Sequence, residues 1–173
     1  MAGGGSFGAC ERWPGHEPRT GAIDFGVAIG RVRVRTEAPI AIVDLTARVE
    51  RFVRASRLLA GWVNVQTRHT TTGVAVNENE PLLLTDLTAL LERLAPRGAG
   101  YAHDEIHRRA GVLADEPPNG HAHAKAMLLR TAETLNVAAS RLELGRYQRV
   151  LLLELDGPRE RRIRVAWIGP GGA

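Results

Sequence analysis

The spacing of apolar residues changes at Asp44, and that change restricts the folds open to this chain. Before it, Val27, Ile29, Val32 and Val34 stand among glycine and arginine in the period-two pattern of a strand. After it, Leu45, Val49, Phe52, Val53, Leu59 and Ala60 fall on one helical stripe, with Asp44 as N-cap and Gly61 as the stop. A second stripe of Leu82, Leu83, Leu87, Leu90, Leu91 and Leu94 opens at Pro81 and closes before Pro96. Further strands are predicted at Ile40–Val43, Trp62–Thr67, Thr72–Val76, Thr134–Ala138, Leu142–Leu144, Tyr147–Leu155 and Arg161–Ile168. Strands at both ends with two long helices between them do not make a regular βαβ series. The class is α+β, with mixed or antiparallel sheets.

Three local features refine this reading. The alternation of Val27–Arg35 slips phase near Gly30, which predicts a bulge or bend. Val150–Leu153 is apolar on both faces, so it needs cover on two sides, from a helix or another subunit. Asp156-Gly157-Pro158 reads as the turn of a closing hairpin. Residues 97–120 show no sustained period and form a long loop before a short helix at His123–Arg130, and loops of that length are usually functional or disordered.

The chain has 173 residues, enough for one domain and a margin. We place the domain at 23–169, with tails at 1–22 and 170–173, the first rich in glycine before residue 10 and then carrying Pro14 and Pro18. No stretch free of Asp, Glu, Lys and Arg exceeds ten residues, too short to span a bilayer. The start lacks the apolar segment of a secretory signal. The single cysteine, Cys10, forms no internal disulfide, which fits a cytoplasmic location. Net charge is +4, and arginine supplies nearly all of the basic residues. Nucleic acid is not a favoured partner on these grounds, because the basic residues are scattered along the chain and aromatics are few.

Histidine is where the sequence points to chemistry. Five of the six histidines lie between positions 69 and 123. Three imidazoles around an open position make a catalytic metal centre, and imidazole suits zinc among other ions. His121 and His123 share a ligand only where their segment is extended, since on a helix they diverge by about 200°. His103-Asp104-Glu105-Ile106-His107 has the spacing of a zincin helix, but aspartate stands where glutamate is required and glycines flank it. A metalloprotease is therefore rejected. The hydroxyls and N–H groups of His69-Thr70-Thr71 suit an anion or a ligating imidazole, and Asn77–Pro81 suits a helix cap.

In order along the chain stand His69-Thr70-Thr71, Asn77-Glu78-Asn79-Glu80-Pro81, Tyr101-Ala102-His103-Asp104 and Asn119-Gly120-His121-Ala122-His123. Arg141-Leu142-Glu143-Leu144-Gly145 and Glu154-Leu155-Asp156-Gly157-Pro158-Arg159 follow. This series resembles the YjbQ-like family of small bacterial and archaeal proteins, some of which are labelled secondary thiamine-phosphate synthase. The resemblance implies a homotrimer with a cleft in which His69, His103 and His123 hold a divalent ion, zinc first, with His121 beside them. It implies that Asn77, Glu78 and Asp104 line the same cleft and that Thr70 and Asn77 contact the bound group. His69, Glu78 and Asp104 would act in catalysis, with Arg141 placed at a leaving pyrophosphate. The implied ligand is a small phosphorylated molecule, and the implied reaction joins a pyrimidine pyrophosphate to a thiazole phosphate. A non-catalytic binding module on the same fold is the alternative. The chain departs from the family pattern at Arg130, at Ala139-Ser140, whose turn should differ, and at Tyr147.

Overall fold

Strands that follow one another in this chain mostly belong to different sheets, and that alternation creates the site. The computed structural model describes residues 25–57, 59–111 and 116–170. The strands are β1 (Phe25–Arg35), β2 (Ala41–Asp44), β3 (Gly61–Thr67), β4 (Thr72–Glu78), β5 (Ala132–Ala138), β6 (Arg141–Leu142), β7 (Gln148–Glu154) and β8 (Glu160–Pro170). The helices are α1 (Thr46–Ala55), α2 (Pro81–Leu94) and α3 (Gly120–Ala126). One antiparallel sheet runs β1-β8-β3-β5-β6 and a second runs β2-β7-β4. This is the expected α+β class. The expectations for residues 1–22, for Cys10 and for 171–173 fall outside the described residues. No helix among the described residues is long and apolar enough to cross a membrane.

The main core lies where the two sheets and α1 meet. Val63, Val65, Ile163, Val165 and Trp167 of the large sheet pack toward Val150 and Leu152 of the small one, with Val49 and Val53 of α1 between them. At about 25 cal/mol per Å² of apolar surface removed from water, each such side chain contributes roughly 1.5–3 kcal/mol. The other face of β7 sends Leu153 into a second cluster with Leu91 of α2 and Ala122 of α3. The two-sided apolar run Val150–Leu153 is thus covered on both sides, as its composition requires.

Several expectations are corrected. No bulge occurs at Gly30, for β1 pairs with β8 without interruption from Phe25↔Pro170 to Arg35↔Glu160. Glycine is needed there because a Cβ would lie 2.6 Å from the ring of Phe52. The slipped phase instead records a switch of face: Phe25, Val27 and Ile29 point outward, whereas Val32 and Val34 point inward. Helix α1 ends at Ala55, short of Leu59, because Arg57 adopts a left-handed φ of 58°. Asp44 still serves its start, its Oδ1 accepting the Thr46 N–H at 2.8 Å. Along α2 only Leu91 is buried, while Leu82, Leu90 and Leu94 are exposed.

The segment after β7 is not a hairpin turn. β7 and β8 lie in different sheets, so residues 155–159 cross from one to the other. Turn residues signal a change of direction, and they carry no information about which strand is the pairing partner. Between β5 and β6, Ala139 and Ser140 both take positive φ, 49° and 56°. The turn expected to differ therefore keeps the two left-handed residues of a tight hairpin, without the glycine that relieves them. The only lysine, Lys125 on α3, is wholly buried with its Nζ 3.1 Å from Glu92 of α2.

Candidate functional site

Two sheet-to-sheet crossings, 68–71 and 155–159, meet the loop before α3 at one corner of the molecule. They enclose a cavity of about 510 Å³. The first crossing contributes Arg68, His69, Thr70 and Thr71, and the second contributes Asp156 and Arg159. His103, Arg109 and Glu116 come from the long loop, Asn119 and His123 from the start of α3, and Arg161 from β8. Four guanidinium groups against two carboxylates leave the lining positive.

Each wall is fixed by identifiable bonds. His103 sits on a 3-10 turn, Ala102–Asp104, whose last residue turns its carboxylate to the Gly120 N–H at 2.7 Å. That bond joins the loop to the first turn of α3, and position 120 must be glycine because a Cβ would strike Tyr101. The His103 and His123 rings consequently meet edge to face with centroids 4.6 Å apart. Arg109 donates to the His103 carbonyl at 3.2 Å and to Glu116 at 2.7 Å. Asp156 accepts from Asn119 Nδ2 at 3.0 Å and from Arg159 at 2.9 Å. Arg161 is buried and donates through two nitrogens to Glu154, and to Thr71 Oγ1 at 3.1 Å.

Burial lowers the pKa of His69, with Arg161 adding to the effect, and burial together with the neighbouring His103 lowers that of His123. Both shifts favour the neutral imidazole. His69 Nε2 accepts the Arg162 N–H at 3.0 Å, so its Nδ1 is the nitrogen left for other contacts. Among the described residues, His103 Nε2 and Asn119 Oδ1 are buried without a hydrogen-bond partner, and both belong to the cavity lining. Glu116 Oε1 lies 3.8 Å from His103 Nε2, beyond hydrogen-bond length, and its pKa is lowered mainly by the bond from Arg109. Among the described residues no three acidic, imidazole or thiolate side chains form a ready-made metal cage.

The cavity brings together His69, His103, His123 and Thr70 from the sequence expectation. The others lie elsewhere. His121 and His123 both belong to helix α3, so two residues of helical rotation turn His121 away. It lines an adjoining cavity, also about 510 Å³, with Arg97 and Asp104, and its Nε2 accepts from Arg97 Nε at 3.3 Å. Asp104 acts on the first cavity through Gly120 instead of lining it. Asn77 and Glu78 end β4, six or seven residues of extended strand beyond Thr71 and so roughly 20 Å along it. Arg141 is exposed on β6, at the opposite edge of the large sheet from β1. Sequence reasoning passes over Arg68, Arg109, Glu116 and Arg161, and it includes Asp156 and Arg159 without giving them a role. Their common signal is position: each belongs to, or borders, a segment between strands of different sheets or the long loop.

A family described as UPF0047 protein YjbQ-like matches residues 30–170. The chain belongs to the YjbQ-like family. A UPF0047 protein of Archaeoglobus fulgidus is 40% identical over 132 residues, which is 76% of this chain and 94% of the relative. One from Methanothermobacter thermautotrophicus is 35% identical over 136 residues, 79% of this chain and 88% of the relative. The crystal structure of a YbjQ-like protein of unknown function from Sulfolobus solfataricus superposes with a TM-score of 0.76 at 28% identity. It covers 84% of this chain and 99% of its own. The matched residues 30–170 take in strands of both sheets and all the residues that line the corner cavity.

Proposed function

We propose that this YjbQ-like protein binds a small phosphorylated compound in the corner cavity and acts on it. The observation that carries the reading is the convergence of two unpartnered buried polar atoms, His103 Nε2 and Asn119 Oδ1, on a lining with excess guanidinium charge. Buried polar atoms without partners are costly, and a ligand that hydrogen-bonds them relieves that cost. Arginine matches the geometry of a phosphoryl group with paired N–H donors. Arg68 has no ion-pair partner among the described residues, which makes it the guanidinium most available to an incoming anion.

A divalent ion, zinc in the first instance, would be held by His103 and His123 with Glu116 at their side. When bound, such an ion would polarise a phosphoryl oxygen. The chain's own groups do the rest. Arg68 and Thr70 bind the anion, Asn119 orients it, and the neutral His69 gives it a proton from Nδ1. In a thiamine-phosphate-synthase-like transfer, Arg68 and Arg159 take the role at the leaving pyrophosphate for which the sequence alone suggests Arg141. The assembly expected of the family is a trimer, with Asn77 and Glu78 free to serve a neighbouring copy.

The deciding experiment incubates the protein with a pyrimidine pyrophosphate and a thiazole phosphate, with and without zinc, and follows pyrophosphate release. Turnover lost in Arg68→Ala and His123→Ala supports the reading. Full activity in both variants removes it. A purely binding role has one observation in its favour: Arg109, Arg159 and Arg161 are already held by carboxylates of the chain. Saturable phosphate-ester binding by calorimetry without turnover would select that role.

A further inference from the structure

The outward face of the large sheet is ordered in rows that the antiparallel register fixes. Val27, Ile168, Trp62 and Asn136 stand side by side across β1, β8, β3 and β5. The next row is Ile29, Ala166, Asn64 and Thr134, and the next is Arg31, Arg164, Gln66 and Ala132. Beyond it Arg33 faces Arg162, and Arg35 faces Glu160. Neighbouring rows are about 7 Å apart, two residues of extended strand. The face therefore grades from apolar and aromatic, through amides, to a dense basic end.

Three observations define its use. First, no described residue covers the apolar end, with Val27 61% and Trp62 57% exposed and Phe25 exposed just beyond it. Second, Arg31, Arg33 and Arg164 have no carboxylate within ion-pair distance among the described residues, and Glu160 pairs only with Arg162. Opposed like charges on neighbouring strands are destabilising unless something outside the chain neutralises them. Third, Arg48 and Arg51 of α1 meet Arg31 and Arg33 around the open edge of β1. Together they rim a concavity of about 430 Å³ floored by Phe52. The arginines are scattered along the chain but contiguous in space, because alternate positions of a strand share a face.

We propose that this face binds single-stranded nucleic acid. Its phosphates lie along the arginine rows, its bases stack on Trp62 and Phe25, and Asn64 and Gln66 meet base edges between them. An open sheet with aromatics and flanking cations is a recurring platform for unpaired bases. An anionic bilayer fits less well, since the amide row lies in the middle of the face where an inserted surface would be apolar. The face adjoins the corner through Arg162 but its concavity shares no lining residue with the corner cavity, so the proposal does not depend on the phosphorylated-compound reading.

The test is fluorescence anisotropy of a labelled 20-nucleotide oligo(dT) with the full chain across a salt series. Affinity should fall linearly with the logarithm of salt. The double charge reversal Arg31→Glu with Arg164→Glu should weaken binding more than tenfold and reduce the salt slope by about 1.4, near 0.7 for each phosphate that is no longer neutralised. Trp62→Ala should weaken it about tenfold and leave the slope unchanged. All three residues are on the surface, and Arg33→Glu provides a second charge variant should the double reversal lose its fold by circular dichroism. Absence of binding at low salt overturns the proposal, as does binding indifferent to both substitutions. Equal affinity for a duplex of the same charge overturns the stacking role. Sedimentation with phosphatidylserine vesicles in place of oligo(dT) binding would assign the face to a membrane surface. Dissociation of an oligomer by these substitutions, seen by light scattering, would assign it to a second copy of the chain.

Discussion

The arginines of the sheet corner and those of the outer sheet face are the same residue in opposite electrostatic positions. At the corner three of the four guanidinium groups have a carboxylate: Arg109 has Glu116, Arg159 has Asp156 and Arg161 has Glu154. Burial alone would raise the Glu154 carboxyl, but its bonds from Arg161 outweigh burial and hold it below the ordinary range. On the outer face Arg31, Arg33 and Arg164 have no such partner among the described residues. Paired arginines, from the buried Arg161 to the exposed Arg159, define the shape of a site, whereas unpaired, exposed ones keep their charge for something outside the chain.

This contrast is open to attack by substitution, beginning where the effect is greatest. Arg161→Ala strands the buried Glu154 carboxylate and should cost about 3–5 kcal/mol, enough to lower Tm by roughly 10 °C or more in calorimetry. Restoring an apolar fit with Arg161→Met and Glu154→Leu together should recover much of it. A single-variant loss no larger than that of Arg31→Ala would erase the distinction.

Acid should act on the same pair. The Glu154 pKa is lowered in the folded chain, so the unfolded chain binds the proton first as pH falls. The stabilisation is present above the ordinary carboxylate range and is lost as pH drops through the folded value. His121, lowered by burial and by Lys125, removes stability earlier, as pH falls through the imidazole range. Urea titrations from pH 8 to pH 3 should show two successive declines, and Glu154→Gln should diminish the second, leaving the smaller share of Glu116 and Glu80.

A smaller effect tests the clamp on the histidines. Asp104→Ala leaves the Gly120 N–H without its acceptor and should cost about 1–3 kcal/mol. Proton spectra should then show the His103 and His123 ring resonances losing their mutual shift. Replacing Ala139-Ser140 by Asn-Gly should raise stability by about 1 kcal/mol, because both positions need positive φ. Smallest of all, Arg31→Ala should change stability by no more than about 0.5 kcal/mol, as expected of an exposed residue without partners.

Much of this contrast lies beyond the reach of sequence. Periodicity locates nearly every element because burial imposes it locally, one side chain at a time. It fails where the decision is made by distant residues. Residues 155–159 read as a hairpin turn, since nothing local shows that β8 pairs with β1 and β3. For the site, the histidines are visible as a cluster, and His69, His103 and His123 do share a cavity. The helical angle between His121 and His123 is calculable, but the apolar pattern puts the start of α3, which applies it, three residues late. Scattered arginines give no sign of a patch until strand register sets Arg31 beside Arg164.

Lys125 carries a practical consequence of its own. It is the only lysine, and its side chain is wholly enclosed beside Glu92 between α2 and α3. An amine-directed reagent therefore finds no lysine side chain to attack on the closed molecule. Acylation at position 125 would record the moments when α2 lifts from α3, so that one residue serves as a built-in clock of local opening.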